Sequence, residues 1–253
     1  MKISALWKAY FTSPNVITRT ALGVGIVIAF GLNYAFSDPI TFFQRLELQA
    51  YDTRLRTTMP EKIDPRVVII DIDEKSLAAE GRWPWGRDKI ARLVSQLFDT
   101  YKIKVVGFDV IFTEADTSSG LKTLEQLSQS AFKSNPEFQE KFAELKPSLD
   151  FDRRLADEIK KHPVVLAFAG QNERAGSAML GLGVLPQPTF TTGSFNNREF
   201  VSMTIDGYSG NLPTLQKSAT ATGHILPLID FDGVLRRIPV FVRYKDGFYE
   251  SLS

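Results

Sequence analysis

The 253-residue chain is 43% hydrophobic and 23% charged, an ordinary globular composition with enough length for one sizeable core or two small ones. Its formal net charge of +1 leaves no basic excess for nucleic acid, and the absence of cysteine excludes disulfides, thiolate catalysis and cysteine-held zinc or iron–sulfur sites. Two histidines, His162 and His224, are too few for a multi-histidine metal centre or a histidine-rich pH switch.

Residues 21–36, ALGVGIVIAFGLNYAF, carry no charge, and Val16 and Ile17 extend the run backward past Arg19. Arg19 can snorkel its guanidinium to lipid headgroups, and with the extension the run reaches the roughly 20 residues a membrane span needs. A cleaved signal peptide is the alternative. No clean small-x-small site precedes Asp38 and the segment ahead of the run is long, so an uncleaved anchor over 16–37 is expected. Lys2, Lys8 and Arg19 precede the run without an acidic residue, whereas Asp38, Arg45 and Glu47 follow it. That modest bias puts residues 1–15 in the cytoplasm and the bulk of the chain in the periplasm or outside the cell.

Beyond the anchor, residues 40–56 read as a helix with Phe43, Leu46, Ala50 and Tyr51 at helical spacing. Residues 38–60 form either a simple packing helix or a stalk carrying signal to the bilayer. Pro60 and Pro65 then punctuate the chain before 61–253, the main domain. RVVIIDI at 66–72 reads as a strand buried on both faces, 87–101 as an amphipathic helix, and KVVGFDVI at 104–111 as a second buried strand. Strand, helix, strand implies a right-handed parallel crossover. Residues 118–146 are polar with helical patches. Asp150 can cap a helix through Lys161 that buries Phe151, Leu155 and Ile159, and PVVLAFA at 163–169 is a third strand. Residues 170–197 read as an extended loop. Residues 222–228 and 234–244 read as strands with a tight turn at Asp232-Gly233. The fold class is α/β, with α+β as the alternative: a mixed sheet with βαβ crossovers behind one N-terminal transmembrane helix.

The sharpest chemical constellation is acidic. Asp71 and Asp73 lie two apart at the end of the first expected strand, Asp109 lies near the end of the second, and Glu114 and Asp116 follow it. In a parallel sheet the carboxyl ends of strands share one edge, where ligands bind. Converging carboxylates suit Mg²⁺ or Ca²⁺, a cationic ligand or an acid–base pair. Structural roles compete: Asp73 as a helix cap, and Asp109 as a partner of Arg82 or Arg87. GRWPWGR at 81–87 is either an aromatic lid with cation–π capacity around Trp83 or a buried, rigid turn. No phosphate-cradling loop and no GxSxG elbow is present. His162 reads as a helix C-terminal residue and His224 as a strand residue.

Leu46-Glu47-Leu48 with Tyr51-Asp52 and Arg54, RVVIIDIDEKSL at 66–77, GRWPWGR at 81–87, VVGFDVIFTEAD at 105–116, IDFDGVLRRIPVF at 229–241 and YKDGFYESLS at 244–253 together resemble the second type of CHASE domain. This is the extracytoplasmic sensor associated with cyclases and histidine kinases. The resemblance spans about 41–253. It implies a bacterial receptor sensor that follows one N-terminal span and belongs to a longer chain with further spans. The implied output is a nucleotide cyclase, a histidine kinase or a serine/threonine kinase. It implies no catalytic residue and no cofactor. Positions matching its motifs are Asp71, Asp73, Trp83, Pro84, Arg87, Asp109, Phe112, Asp116, Asp232, Gly233 and Arg236. From these the expected ligand contacts are Asp71, Asp73, Trp83, Arg87, Asp109 and Asp116, for an unidentified small-molecule or ionic ligand. A homodimer in the membrane is the expected assembly. An anchored metal-dependent hydrolase and an envelope scaffold are the competing readings.

Overall fold

The structure, a computed structural model, describes residues 14–35, 41–60, 62–171, 181–195 and 202–252. It divides into two compact units, residues 1–69 and 70–253.

In the first unit, α1 (Pro14–Ala35) begins on a proline, whose fixed φ and missing N–H suit a first helical position. Its apolar residues, among them Leu22, Val27 and Phe30, are exposed. Among the described residues, no helix is long and apolar enough to cross a membrane. α2 (Thr41–Thr58) confirms the expected second helix, and Phe30 of α1 lies 5.8 Å from Phe43 of α2 between ring centroids. Thr53, Thr57 and Thr58 donate their hydroxyl protons to carbonyls one turn back, within the last turns of α2.

The second unit is mixed α/β. Its helices are α3 (Glu74–Glu80), α4 (Arg87–Asp99), α5 (Leu121–Gln129), α6 (Pro136–Leu149), α7 (Phe151–Lys161) and α8 (Pro213–Ser218). The central strand is β2 (Val164–Gln171), which pairs in parallel with β1 (Val106–Gly107) and with β6 (Ala221–His224). β5 (Gly207–Ser209) joins the C-terminal half of β2 antiparallel. A second sheet has the order β3 (Phe190–Thr191), β10 (Gly247–Glu250), β9 (Phe241–Tyr244), β4 (Met203–Thr204). A separate hairpin, β7 (Leu228–Ile229) with β8 (Leu235–Arg237), turns at Asp232-Gly233 as expected, with Gly233 at φ 81°. β6 and β9 flank this hairpin, so the two long strands read from sequence are four short ones.

The main core forms because α4 and α7 turn their apolar stripes onto β2. Ile90, Val94 and Phe98 of α4, Leu155 and Ile159 of α7, and Val164 and Leu166 of β2 are buried together. Asp150 caps α7 through the Arg153 N–H, and His162 closes it, stacked on Phe98 at 4.3 Å. Phe168, Ile205, Val242 and Tyr249 form a second core. Phe168 on the far half of β2 therefore carries the packing from one sheet into the other.

The run 66–72 departs from expectation. It forms no strand, and Val67, Val68, Ile69 and Ile70 are 68%, 77%, 90% and 52% exposed. β-Branched composition suits a pleated surface but supplies no partner, and a strand exists only where a neighbour completes its ladder. The crossovers that do form link β1 to β2 and β2 to β6. The expected second strand over 104–111 is shortened to the two residues of β1 for the same reason: only Val106 and Gly107 find β2. In the loop read over 170–197, residues 172–180, 196 and 197 lie outside the described residues, as do residues 1–13 and 36–40.

Candidate functional site

The cleft at the carboxyl edge of β1 gathers two helix N-termini and the chain that follows the strand. Glu114, Asp116, Leu121, Lys122, Glu125, Phe151 and Asp152 line it, in a volume of about 530 Å³. At its wall the N-terminal turn of α4 meets Asp116, whose Oδ2 accepts the Arg87 N–H at 2.6 Å. Asp116 Oδ1 accepts the Ser118 N–H at 2.7 Å, and its own N–H donates to Asp152 Oδ2 at 2.8 Å. Burial raises the Asp116 pKa, but hydrogen bonds from Ser118 and Arg87 and the Arg87 charge outweigh it and hold the carboxyl below its usual range. Gly86 lets the chain pass close here: a Cβ would meet the Asp88 Oδ1 and Ser118 Oγ, at 2.6 and 3.0 Å, and those side chains would have to turn aside.

Arg87 is the hub. Its guanidinium lies 4.6 Å over the Phe112 ring, and Nη2 donates to the Glu114 carbonyl at 3.5 Å. Arg87 Nε faces Asp152 Oδ1 at 3.7 Å, with the two side chains only 11% and 17% exposed. That distance serves an ion pair but is too long for a hydrogen bond, so both atoms are buried without one. Burial, only partly offset by the Asp116 N–H and the Arg87 charge, pushes the Asp152 pKa up. Among the lining carboxylates, Asp116 has both oxygens hydrogen-bonded, whereas Asp152 Oδ1 has only the Arg87 ion pair.

Beneath the cleft, Asn211 is fully buried. Its Oδ1 accepts the Phe112 N–H at 2.9 Å and its Nδ2 donates to the Ala167 carbonyl at 2.9 Å. It therefore fixes Phe112, on which Arg87 rests, to β2.

Of the expected ligand contacts, the structure brings Arg87 and Asp116 together. Asp73 is elsewhere, as the N-cap of α3: its Oδ1 accepts the Ser76 N–H at 2.8 Å and the Ser76 hydroxyl at 2.7 Å, which lowers its pKa. Asp71 and Asp109 are exposed. Asp109 does not take Arg87, whose ion-pair partner is Asp152 instead. Trp83 stacks edge-on against Trp85 at 5.8 Å across a cis Trp83–Pro84 bond, and Trp85 donates its indole N–H to the Gly81 carbonyl at 2.8 Å while packing on the main core. The segment leads directly into α4, with Trp85 on the core and Trp83 37% exposed. No group of three or more His, Asp or Glu side chains among the described residues is placed to hold a metal ion. Asp232 and Arg236 meet in the β7–β8 hairpin: Arg236 donates to both oxygens of Asp232 at 2.8 Å and to Asp230 at 3.0 Å, which pulls the Asp232 pKa down to about 2.

Sequence reading missed Asp152 and Asn211. Asp152 sits in the first turn of a helix whose cap, Asp150, was legible, but its facing partner lies 65 residues earlier. Asn211 carries no local signal at all.

A family model for the CHASE2 domain matches residues 22–253. The chain belongs to the CHASE2 domain family. CHASE2 is an extracytoplasmic sensor domain family, which agrees with the motif combination at 46–54, 66–87, 105–116 and 229–253 and makes this chain a sensory region. Comparisons with curated proteins and with solved structures found no match. The Arg87–Asp116 pair joins the GRWPWGR and VVGFDVIFTEAD motifs of this CHASE2 chain across the α4 N-terminus.

Proposed function

We propose that this CHASE2 chain is the ligand-binding region of a bacterial transmembrane receptor, that its cleft at 114–117, 121–125 and 149–152 takes a small cationic ligand, and that the parent's output is a nucleotide cyclase. The observation carrying the ligand class is Asp152 Oδ1, a buried carboxylate oxygen that has the Arg87 ion pair at 3.7 Å but no hydrogen bond, in a wall shared with Glu114, Glu125 and Asp150. Lys122 is the cation among the lining side chains, so an amine or guanidine entering the cleft meets net negative charge. Histidine-kinase or serine/threonine-kinase outputs are the alternatives, and an amine would bias the domain only by binding its two arrangements unequally.

Anchoring is part of the same proposal. α1 has 22 residues, about 33 Å at 1.5 Å per residue, against a hydrocarbon core of about 30 Å. Its apolar side chains are exposed, as lipid-facing residues are, and Arg19 lies near its start, where a long stem reaches headgroups. α2 then serves as the stalk in a homodimer, with the main domain periplasmic or extracellular and the N-terminus cytoplasmic. Resistance to alkaline extraction tests the anchor; release of the chain in carbonate would remove it.

The ligand test is a thermal-shift titration of the full chain in detergent with 1,4-diaminobutane and with choline, alongside inorganic phosphate as the opposite charge. A saturable rise in Tm with an amine in the native chain, absent in Asp152→Asn, supports the reading. No rise with either amine, or an equal rise in Asp152→Asn, refutes it.

A further inference from the structure

His224 is the last residue of β6 and is 1% exposed. Its Nδ1 accepts the Leu226 N–H at 3.2 Å, so the ring is neutral with its proton on Nε2. Nε2 is buried without a hydrogen-bond partner, although the carbonyls of Pro239 and Val240 face the ring. Phe168 of β2 closes another side, at 6.2 Å between centroids and 74°.

The main chain around this ring joins three segments. Ile225 N–H donates to the Phe168 carbonyl at 3.0 Å, which ends the β2–β6 ladder. The His224 carbonyl accepts the Leu252 N–H at 3.0 Å, and Ser251 N–H donates to the Val240 carbonyl at 2.9 Å. The approach is tight: a Cβ on Gly223 would collide with the backbone of Ser251 and Leu252. The ring therefore lies against Phe168 and the carbonyls of 239–240, while the main chain of β6 carries residues 251–252.

We propose that His224 is a proton-operated latch: neutral, it holds residues 239–240 and 251–252 against β6, and protonation in an acidic extracytoplasmic medium releases them. A proton added to Nδ1 turns an acceptor into a donor pointed at the Leu226 N–H, so that hydrogen bond is lost. The new charge is enclosed, and among the described residues no anionic side chain offsets it. From β2 the ring meets Phe168, and from 239–240 it meets backbone carbonyls; the C-terminal segment pairs with the His224 main chain through Ser251 and Leu252. From β10, Tyr249 packs on the same Phe168 at 5.8 Å and stays un-ionised because burial raises its pKa. No charged side chain among the described residues is a cause of the His224 shift. Burial, against the two carbonyls, lowers its pKa. The sign follows. A histidine whose folded pKa lies below its unfolded value stabilises the latched state fully above about pH 6.5, and the latch weakens by up to about tenfold per pH unit as pH falls from there toward the lowered pKa.

The test uses the full chain in detergent, with hydrogen exchange of peptides covering 222–228 and 248–253 at pH 7 and pH 5, corrected for intrinsic exchange. His224→Asn is the comparison, because Asn Oδ1 can accept the Leu226 N–H without titrating. Native protein is expected to lose protection in both peptides at pH 5, and His224→Asn to keep its protection. Equal changes in the two proteins would overturn the latch. NMR titration of His224 in the native chain decides independently of whether the variant folds: a pKa below 6.5 supports the proposal, and one at or above 6.5 refutes it.

Discussion

Asn211→Ala is the perturbation that most directly connects the core to the cleft. Asn211 supplies one bond at 2.9 Å to the Phe112 N–H and another at 2.9 Å to the Ala167 carbonyl, and at 0% exposure no solvent can replace it. Alanine leaves two buried backbone groups without partners, each costing about 1–3 kcal/mol, so the loss is about 2–6 kcal/mol. With a urea m-value of about 2 kcal/mol/M, a loss of about 3 kcal/mol moves the unfolding midpoint by about 1.5 M. Fluorescence of Trp83 and Trp85 during urea unfolding of the full chain reports it, since Trp85 packs on the main core. Asn211→Asp should be no rescue, because its second oxygen would oppose the Ala167 carbonyl and bring a buried charge. A midpoint shift below about 0.3 M for Asn211→Ala would show that the two backbone groups find other partners, and the link from β2 through Phe112 to Arg87 would fall with it.

Leu155→Ala, at the centre of the α4–α7–β2 core with 0% exposure, should cost about 2–5 kcal/mol in the same assay. Asp152→Asn keeps an oxygen for the Asp116 N–H and removes a carboxylate whose pKa is raised. A raised carboxylate pKa penalises folding as pH climbs past the unfolded value near 4, so this variant should be as stable as the native chain or more so at pH 7, with the difference vanishing below pH 4. Asp116 has the opposite sign: its lowered pKa contributes stability above about pH 4 that is lost as pH falls through the folded value, so Asp116→Asn should destabilise at pH 7 and converge on native stability in strong acid. Phe43→Glu with Leu46→Glu changes exposed positions of α2, so the unfolding midpoint of the main domain should stay within about 0.5 kcal/mol of native while regulation of a parent receptor's output is lost.

Much of this architecture was legible because the signals were local. The stripe of α4 follows from Ile90, Val94 and Leu97 at helical spacing, the start of α7 from Asp150, the body of β2 from PVVLAFA, and the hairpin turn from Asp232-Gly233 with a positive φ at glycine. Asp73 was legible as a cap for the same reason: its partner Ser76 is three residues away. The motif combination named the family from sequence alone.

Tertiary structure decided what depends on partners far along the chain. Whether 66–72 becomes a strand rests on a neighbour that composition cannot supply, and the run stands exposed. Asp71, Asp109 and Asp116 look alike in sequence, yet only Asp116 meets the α4 N-terminus, 29 residues upstream, while Arg87 turns to Asp152. His224 reads as any strand residue until the backbone at 239–240 closes over its ring. Helix periodicity, caps and turns are written within a few residues because hydrogen bonds and side-chain stripes repeat over that range. The environment of a carboxylate or an imidazole depends on which distant segment reaches it, and only the folded chain fixes that.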